Sequence, residues 1–288
     1  MLGILGKSLS TGVVTTRYPV TPPEISSRAR GRPEIDWANW KDARPAAAAC
    51  PTGAIGFQDA DRQRNAWLDL GKCVFCGLCA DVDKAIRMTN VCECAARCRA
   101  DLVARASYSL KPDDTHERLV SPPVVSSSHG GKPSALPQQS IAALGPRIKQ
   151  RAGRIFGRSL HIREVDAGSC NGCEIEIVGL NSPIYDIERF GIHFVASPRH
   201  ADLLLVTGPV TRNMELALKK TYDATPEPRL VVAVGACGCS GGIFGVNYAT
   251  RGAVDAVIPV DLYIPGCPPH PVAILDGLLR LLGRLETR

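Results

Sequence analysis

The chain contains 288 residues, 45% hydrophobic and 22% charged, which is the composition of a soluble globular protein with room for about two domains. No stretch approaches the roughly 18 consecutive apolar residues of a membrane helix, and the amino terminus lacks the features of an export signal, so we expect an intracellular protein without a transmembrane span. The formal net charge is +6. Residues 146–163, here called the basic segment, contain six basic residues and no acidic residue, and so account for the whole excess of positive charge. This local distribution excludes a generally basic nucleic-acid-binding protein.

Twelve cysteines suggest how the chain is organised. In an intracellular protein this number favours metal or redox chemistry over disulfides. Residues 111–145 contain no cysteine and are rich in Pro, Ser and Gly, which predicts a linker. We therefore expect one cysteine-containing domain over residues 1–110 and a second over residues 146–288.

The amino-terminal part begins with a proline-containing leader that we expect to be irregular. Strands are predicted at Ala54–Phe57 and near Trp67–Leu70, close to the cysteines in the sequence. Short strands and turns around cysteines are typical of a small α+β module that binds a metal cluster.

The cysteine spacing of this part indicates that one of two clusters has been lost. Bacterial ferredoxins carry two runs of C-x2-C-x2-C-x3-C-P, and the fourth cysteine of each run binds the cluster of the other run. The complete set for one cluster remains: Cys50, Cys73, Cys76 and Cys79. The complete set for the other is replaced by Trp40, Ala43, Ala46 and Asp83. This part therefore resembles a two-cluster ferredoxin that retains a single [4Fe–4S] cluster.

Two questions stay open in the amino-terminal part. Four thiolates also suit a structural zinc ion, although C-x2-C-x2-C with a distant Cys-Pro favours an iron–sulfur cluster. Three further cysteines, Cys92, Cys94 and Cys98, either belong to a second small cluster or lie in the structure without a metal.

The carboxyl-terminal part alternates predicted strands and helices. Strands are predicted at Leu160–Val165, His193–Ala196, Asp202–Thr207, Leu230–Val234 and Asp261–Ile264. Helices are predicted at Cys173–Gly179, Ile184–Phe190, Asn213–Tyr222 and Pro271–Arg284. This alternation indicates an α/β fold in which helices cover both faces of a parallel sheet.

Three loops of this part carry cysteines directly after predicted strands. Cys170 and Cys173 follow the first strand, Cys237 follows the fourth, and Cys267 follows the last. Sites in open parallel sheets lie beyond the carboxyl ends of the strands, so we expect these four thiols to converge.

Four motifs of this part carry a family resemblance: GSCNGCEIEI, SPRHADLLLVTGPVT, VGACGCSGGIF and IPGCPPHP. In this order they resemble the small subunit of membrane-associated group 4 [NiFe] hydrogenases and the homologous 20 kDa subunit of respiratory complex I. The resemblance implies a flavodoxin-like domain and one [4Fe–4S] cluster held by Cys170, Cys173, Cys237 and Cys267. The expected fold class is thus α/β, a flavodoxin-like parallel sheet domain preceded by a small α+β ferredoxin-like domain.

The resemblance implies an electron-transfer subunit with two [4Fe–4S] clusters and no catalytic centre of its own. The complex I subunit has adjacent cysteines in the first motif and hydrogenase small subunits have C-x2-C, so the chain resembles the hydrogenase branch, which includes formate hydrogenlyase. A complex-I-like subunit that reduces quinone and a structural zinc module are the alternatives. The implied partners are a large catalytic subunit and other iron–sulfur and membrane subunits, on the cytoplasmic side of the inner membrane.

Five further residues are weaker candidates. Cys239 is either a buried free thiol or an exchangeable ligand, and Glu174 and Glu176 are either proton relays or ordinary carboxylates. Arg199 and His200 either adjoin a cluster or quinone-like site or make a turn contact.

A flexible linker of about 28 residues spans roughly 30 Å, so direct electron transfer between the two domains requires that they dock closely.

Overall fold

The computed structural model of the chain describes residues 2–26, 28–40, 42–60, 63–109 and 159–284. The predicted linker lies outside these residues, as does most of the basic segment. The described helices are α1 (Leu2–Thr11), α2 (Arg44–Ala49), α3 (Leu78–Val82), α4 (Gly172–Gly179), α5 (Arg212–Ala224), α6 (Gly235–Ser240) and α7 (Pro271–Arg284). The described strands are β1 (Pro33–Ile35), β2 (Ile55–Ala60), β3 (Gln63–Asp69), β4 (Ile86–Met88), β5 (Val103–Ser109), β6 (Leu160–Asp166), β7 (Ile192–Phe194), β8 (Leu203–Thr207), β9 (Leu230–Val234) and β10 (Leu262–Ile264). In this part of the chain, no helix combines the length and the apolar character needed to span a bilayer.

The amino-terminal half, residues 2–109, contains two small antiparallel sheets. One has the strand order β2-β3-β5, and the other pairs β1 with β4. Inward-facing side chains of both sheets and of α2 and α3 form one core, which includes Ile35, Ile55, Leu68 and Ile86. The expected α+β module is therefore present, with more elements than the two strands that the sequence predicted.

The leader differs from the sequence expectation because it begins with the ten-residue helix α1. Leucine-rich sequence has a good helix propensity even with two interrupting glycines. The hydroxyls of Ser10 and Thr11 donate to the carbonyl oxygen of Lys7 at 2.9 and 2.8 Å and so satisfy part of the helix end.

The carboxyl-terminal half, residues 159–284, is built on one parallel sheet with the strand order β10-β9-β8-β6-β7. Read from β7, this is the 2-1-3-4-5 order of flavodoxin-like folds. The order confirms the flavodoxin-like fold class. It also places the carboxyl ends of β6, β9 and β10, and hence the three cysteine loops, along one edge of the sheet.

Both faces of this sheet are covered by helices, as predicted. Leu203 and Leu205 of β8 pack on one side with residues of α4 and α7. Leu204 and Val206 pack on the other side with residues of α5 and α6. A strand buried on both faces reads as a continuous apolar run, which is why β8 was recognisable in the sequence.

One predicted helix, Ile184–Phe190, is wrong. Only the turn Ile187–Phe190 is helical, and it is a 3-10 helix. Asp186 has a left-handed backbone with φ 46°, and Gly191 at the other end has φ 74°. The left-handed residue prevents a continuous α-helix through this segment.

The two halves pack directly against each other. Ala96 and Tyr263 exchange two backbone hydrogen bonds of 3.0 and 2.8 Å, so the segment 92–98 pairs with β10, the edge strand of the large sheet. On the α7 side, the hydroxyl of Tyr18 donates to Asp276 at 3.2 Å. The amino-terminal half thus covers an edge that would otherwise present unpaired backbone groups.

Two glycines of α7 provide a matched test of this packing. A Cβ on Gly277 would lie 2.7 Å from Ile264 Cδ1 and 3.2 Å from Ala95 Cβ, whereas a Cβ on Gly283 meets nothing within 4 Å. We expect Gly277→Ala to lower the free energy of unfolding by about 1–2 kcal/mol, because overpacking outweighs the gain in helix propensity. Gly283→Ala should raise it by up to about 0.5–1 kcal/mol. Urea unfolding followed by circular dichroism measures both, and equal effects would contradict the described packing.

Candidate metal-cluster sites

The amino-terminal quartet, Cys50, Cys73, Cys76 and Cys79, lines a single cavity. Its empty space, including the open mouth, is about 340 Å³. Cys50 directly follows α2, Cys73 and Cys76 lie between β3 and α3, and Cys79 lies within α3. The structure therefore brings together the four cysteines that the ferredoxin spacing selected.

In the absence of a cation, the electrostatics of this cavity disfavour four negatively charged thiolates. Burial, together with the neighbouring thiols Cys79, Cys50 and Cys76, raises the pKa of Cys73 to about 12. For Cys50 burial acts in the same direction, but hydrogen bonds from nearby backbone N–H groups outweigh it and lower the pKa. The backbone N–H of Ala54, for example, donates to Cys50 Sγ at 3.2 Å. Buried thiolates need a positively charged partner, and the iron of a [4Fe–4S] cluster fits this donor set.

The residues that stand at the other ferredoxin ligand positions, Trp40, Ala43, Ala46 and Asp83, also come together. Trp40, Ala43 and Ala46 are all fully buried in the core of the amino-terminal half. The indole Nε1–H of Trp40 donates to Asp83 Oδ2 at 2.6 Å, and Asp83 Oδ1 accepts the backbone N–H of Ala85 at 2.9 Å. Trp40 and Asp83 thus replace metal ligation with packing and a hydrogen bond.

The carboxyl-terminal quartet, Cys170, Cys173, Cys237 and Cys267, gathers at the edge of the large sheet. Burial, together with the neighbouring thiols Cys267 and Cys170, raises the pKa of Cys237 to about 11. Burial also raises the pKa of Cys173, with contributions in the same direction from Glu174 and from the other three thiols. A Cβ on Gly172 would lie 3.5 Å from Cys170 Sγ and 3.8 Å from Pro268 Cβ, so the Cys170 loop lies against the Cys267 loop. The predicted convergence of three strand-following loops is therefore present.

Close backbone approach makes this arrangement possible. Gly235 has φ +82°, and a Cβ there would lie 2.6 Å from Cys173 Sγ. The backbone N–H of Ala236 donates to the carbonyl oxygen of Gly266 at 2.7 Å, which ties the Cys237 loop to the Cys267 loop. A glycine at position 235 is thus needed for both its backbone conformation and the missing side chain.

Among the described residues, no group of three or more His, Cys, Asp or Glu side chains forms a site for a single metal ion. A structural zinc ion requires four ligands at about 2.0–2.3 Å from one centre, whereas the thiolates of a cubane bind four separate iron corners. The C-x2-C-x2-C run with a distant Cys-Pro in the amino-terminal quartet favours the cubane.

The other cysteines have different surroundings. Cys239 is fully buried, and its thiol donates to the carbonyl oxygen of Ala233 at 3.7 Å, as expected of a buried free thiol. Cys92 is buried, the thiol of Cys94 donates to the carbonyl oxygen of Cys92 at 3.3 Å, and Cys98 is exposed. The structure therefore does not bring Cys92, Cys94 and Cys98 together as one ligand set.

The polar candidate residues lie at two different places in the carboxyl-terminal half. Glu174 Oε1 accepts a hydrogen bond from the hydroxyl of Thr207, and burial raises the pKa of Glu176. Arg199 and His200 are exposed and line a shallow hollow with His161, near the amino end of β6. Since the carboxyl-terminal quartet follows the carboxyl ends of the strands, Arg199 and His200 do not face it.

Sequence comparison supports the family resemblance. Residues 170–281 match the family described as NADH ubiquinone oxidoreductase, 20 Kd subunit. The chain is 47% identical over 142 residues to the probable membrane-bound hydrogenase subunit mbhJ of Pyrococcus furiosus, covering 48% of this chain and 85% of that protein. The chain belongs to this family. All four cysteines of the carboxyl-terminal quartet lie within the matched residues.

Relatives in this family carry both hydrogenase and quinone oxidoreductase names. The chain is 52% identical over 150 residues to formate hydrogenlyase subunit 7 of Escherichia coli, covering 52% of this chain and 57% of that protein. It is 50% identical over 127 residues to an NADH-quinone oxidoreductase subunit of Desulfovibrio desulfuricans, covering 44% of this chain and 68% of that protein. The chain thus spans little more than half the length of the E. coli relative. By their names, these relatives are subunits of oxidoreductases.

Sequence reasoning missed one polar group at the boundary between the halves. Arg99 forms an ion pair with Asp69 at 2.8 Å and also donates to the backbone of Cys239. Single charged residues in unremarkable sequence carry no motif, so only the packing of the two halves reveals them.

Replacement of the buried indole is the sharpest test of the filled site. We expect Trp40→Ala to lower the free energy of unfolding by about 3–5 kcal/mol, because it creates a cavity and leaves Asp83 without its donor. Trp37→Ala is the matched control, since Trp37 is only partly buried, and its cost should be smaller. Circular dichroism in urea under anaerobic conditions measures both changes. Equal costs would show that the indole does not support the core.

Proposed function

We propose that the chain is an electron-transfer subunit with two [4Fe–4S] clusters in a membrane-associated [NiFe]-hydrogenase-like complex of the formate hydrogenlyase type. In this proposal Cys50, Cys73, Cys76 and Cys79 bind one cluster, and Cys170, Cys173, Cys237 and Cys267 bind the other. The observation that carries the proposal is the presence of two separate four-thiol sites in one chain. A [4Fe–4S] cluster bound at each site would supply one-electron transfer.

The residues around the sites support transfer of electrons rather than substrate chemistry. Four thiols occupy four cluster corners at each site, which leaves no open position for a substrate. The amino-terminal cavity is lined mainly by apolar side chains, among them Pro33, Ile55, Leu68 and Met88. These exclude water and help to set the reduction potential. The catalytic step is therefore assigned to a partner subunit.

An exposed apolar surface beside the carboxyl-terminal quartet supports a large catalytic subunit as the partner. Ile175 and Val178 of α4 are 63% and 68% exposed, and Ile243 and Phe244 after α6 are 62% and 49% exposed. Apolar side chains clustered on a surface are typical of an interface between proteins. Because Cys170 and Cys267 are exposed on the same edge, such a partner would come close to this site.

The remaining organisation is also proposed. Residues 1–110 form the amino-terminal cluster domain, residues 146–288 form the family domain, and residues 111–145 link them. We place the chain at the cytoplasmic side of the inner membrane as a peripheral part of its complex, with other iron–sulfur and membrane subunits. The positive charge of the basic segment suits an anionic membrane or an acidic partner.

A complex-I-like role in which the carboxyl-terminal site reduces quinone is the second candidate. It is favoured by the 50% identity to the D. desulfuricans NADH-quinone oxidoreductase subunit. The C-x2-C spacing of Cys170 and Cys173 favours the hydrogenase type. Against the zinc alternative, the C-x2-C-x2-C run with a distant Cys-Pro favours an iron–sulfur cluster.

Anaerobic purification of the intact complex tests the proposal. We expect a large subunit with two C-x2-C pairs suited to nickel and iron in the complex, and about eight iron atoms in the full chain when it is purified without its partners. Hydrogen evolution with a low-potential one-electron donor should then be measurable. A large subunit without these pairs would favour the quinone role, and a colourless protein containing zinc would overturn the proposal of clusters.

Cysteine substitutions test the two ligand sets separately. Cys170→Ser and Cys267→Ser should each remove the electron paramagnetic resonance (EPR) signal of the carboxyl-terminal site and about four iron atoms, while the amino-terminal signal remains. Cys239→Ala is the control, because this thiol points at a backbone carbonyl in the core, and both signals should persist. Retention of both signals in Cys170→Ser and Cys267→Ser would refute the ligand assignment.

The partner surface has its own matched pair of variants. Ile175 lies beside the carboxyl-terminal quartet and is 63% exposed, whereas Leu216 of α5 is 61% exposed on a different helix. Ile175→Asp should weaken co-purification of the large subunit by about tenfold, because it places a charge in an apolar interface. Leu216→Asp should leave co-purification unchanged. Equal effects of the two substitutions would contradict the proposed surface.

A further inference from the structure

Arg99 makes three hydrogen bonds, one of which crosses from the amino-terminal half to the carboxyl-terminal half. It begins the 3-10 turn Arg99–Leu102, directly after the segment 92–98 that covers β10. Its Nη1 and Nη2 donate to Oδ1 and Oδ2 of Asp69, each at 2.8 Å. Its Nε donates to the backbone carbonyl oxygen of Cys239 at 2.9 Å. One guanidinium thus connects residues of the amino-terminal half to the carboxyl-terminal half.

Both residues that accept from Arg99 belong to the surroundings of a quartet. The carbonyl oxygen of Asp69 accepts the backbone N–H of Cys73 at 3.1 Å. Cys239 lies in α6, two residues after Cys237. A continuous path of covalent and hydrogen bonds therefore leads from Cys73 through Asp69 and Arg99 to Cys237.

The surroundings hold the guanidinium in one place. A Cβ on Gly71 would lie 2.6 Å from Arg99 Cζ, so a side chain at position 71 would displace it. The backbone N–H of Gly71 also donates to Asp69 Oδ1 at 2.9 Å, and Asp69 is only 7% exposed. A planar guanidinium that donates to both carboxylate oxygens and to a third acceptor has a geometry that the single ammonium of lysine cannot reproduce.

We propose that Arg99 is a positioning residue that fixes the spacing of the two cluster sites, so that electrons pass directly between them within this chain. This inference rests on the proposed function, because it requires two redox sites. In the exchange, one electron leaves the amino-terminal site, which is oxidised by one unit, and enters the carboxyl-terminal site, which is reduced by one unit. No bond forms or breaks, and no proton is transferred.

Three substitutions disturb the bridge in different ways. Arg99→Lys keeps the positive charge and loses the planar fork, and Asp69→Asn keeps the shape and removes the negative charge. Gly71→Ala leaves every charge in place and pushes a methyl group against the guanidinium. Arg105→Lys is the matched control, because Arg105 is an exposed arginine on the nearby strand β5.

The full chain, with its clusters, is used for two measurements besides activity. EPR power saturation of the fully reduced protein measures the magnetic interaction between the sites. Flash photoreduction with a deazaflavin measures how fast an injected electron equilibrates between them. In the three bridge variants we expect a weaker interaction and equilibration slower by about 10-fold to 100-fold, because a misplacement of roughly 1 Å between reacting groups has effects of this size. Iron content should stay at about eight per chain, and Arg105→Lys should behave as the unsubstituted chain.

The possible results separate this inference from the proposed function. If the unsubstituted chain holds fewer than two clusters, the proposed function itself fails. If it holds two, and Arg99→Lys and Gly71→Ala leave the equilibration rate and magnetic interaction unchanged, the positioning role is wrong and the proposed function stands. Loss of iron in all three bridge variants would show that Arg99 is required for assembly of a site, which would also overturn the positioning role.

Discussion

Bringing several thiolates together in a buried space is electrostatically unfavourable, and this free-energy cost constrains much of the molecule. Four cysteines line one cavity in the amino-terminal half, and four more gather at the edge of the large sheet. In both places burial and neighbouring thiols disfavour the charged form, so each set is stable as thiolates only around a positive centre. Gly235 leaves room for Cys173 Sγ, and the hydrogen bond from the backbone N–H of Ala54 helps to stabilise the thiolate of Cys50.

The filled site next to the amino-terminal quartet shows the opposite solution to the same problem. Where a ferredoxin would hold a second cluster, Trp40 fills the space and Asp83 accepts its indole N–H at 2.6 Å. Packing and one hydrogen bond to the Asp83 carboxylate stabilise this region. No thiolates are gathered here whose charge a metal would have to balance. The amino-terminal half therefore keeps the compactness of a ferredoxin-like module with one redox site in the proposed function instead of two.

The sequence predicted those features that have a fixed spacing or a strong period. Cysteine spacing identified the amino-terminal quartet, cysteines directly after predicted strands together with the family resemblance identified the carboxyl-terminal quartet, and continuous apolar runs identified strands such as Leu203–Thr207. It did not predict α6, because Gly235–Ser240 has poor intrinsic helix propensity and is helical in the context of the strands and loops around it. It wrongly predicted a helix through Asp186, whose backbone is left-handed and interrupts the α-helix. The Arg99 bridge depends on residues far apart in the chain, and no local pattern encodes such a contact.

The pairing of Ala96 with Tyr263 bears on how the large sheet is kept from associating with other molecules. β10 is the last strand of that sheet, and the backbone groups of Tyr263 bond to the amino-terminal half. An edge strand without such a neighbour is open to pairing with another chain. The amino-terminal half therefore helps to protect the carboxyl-terminal half from aggregation, independently of any cluster that it binds.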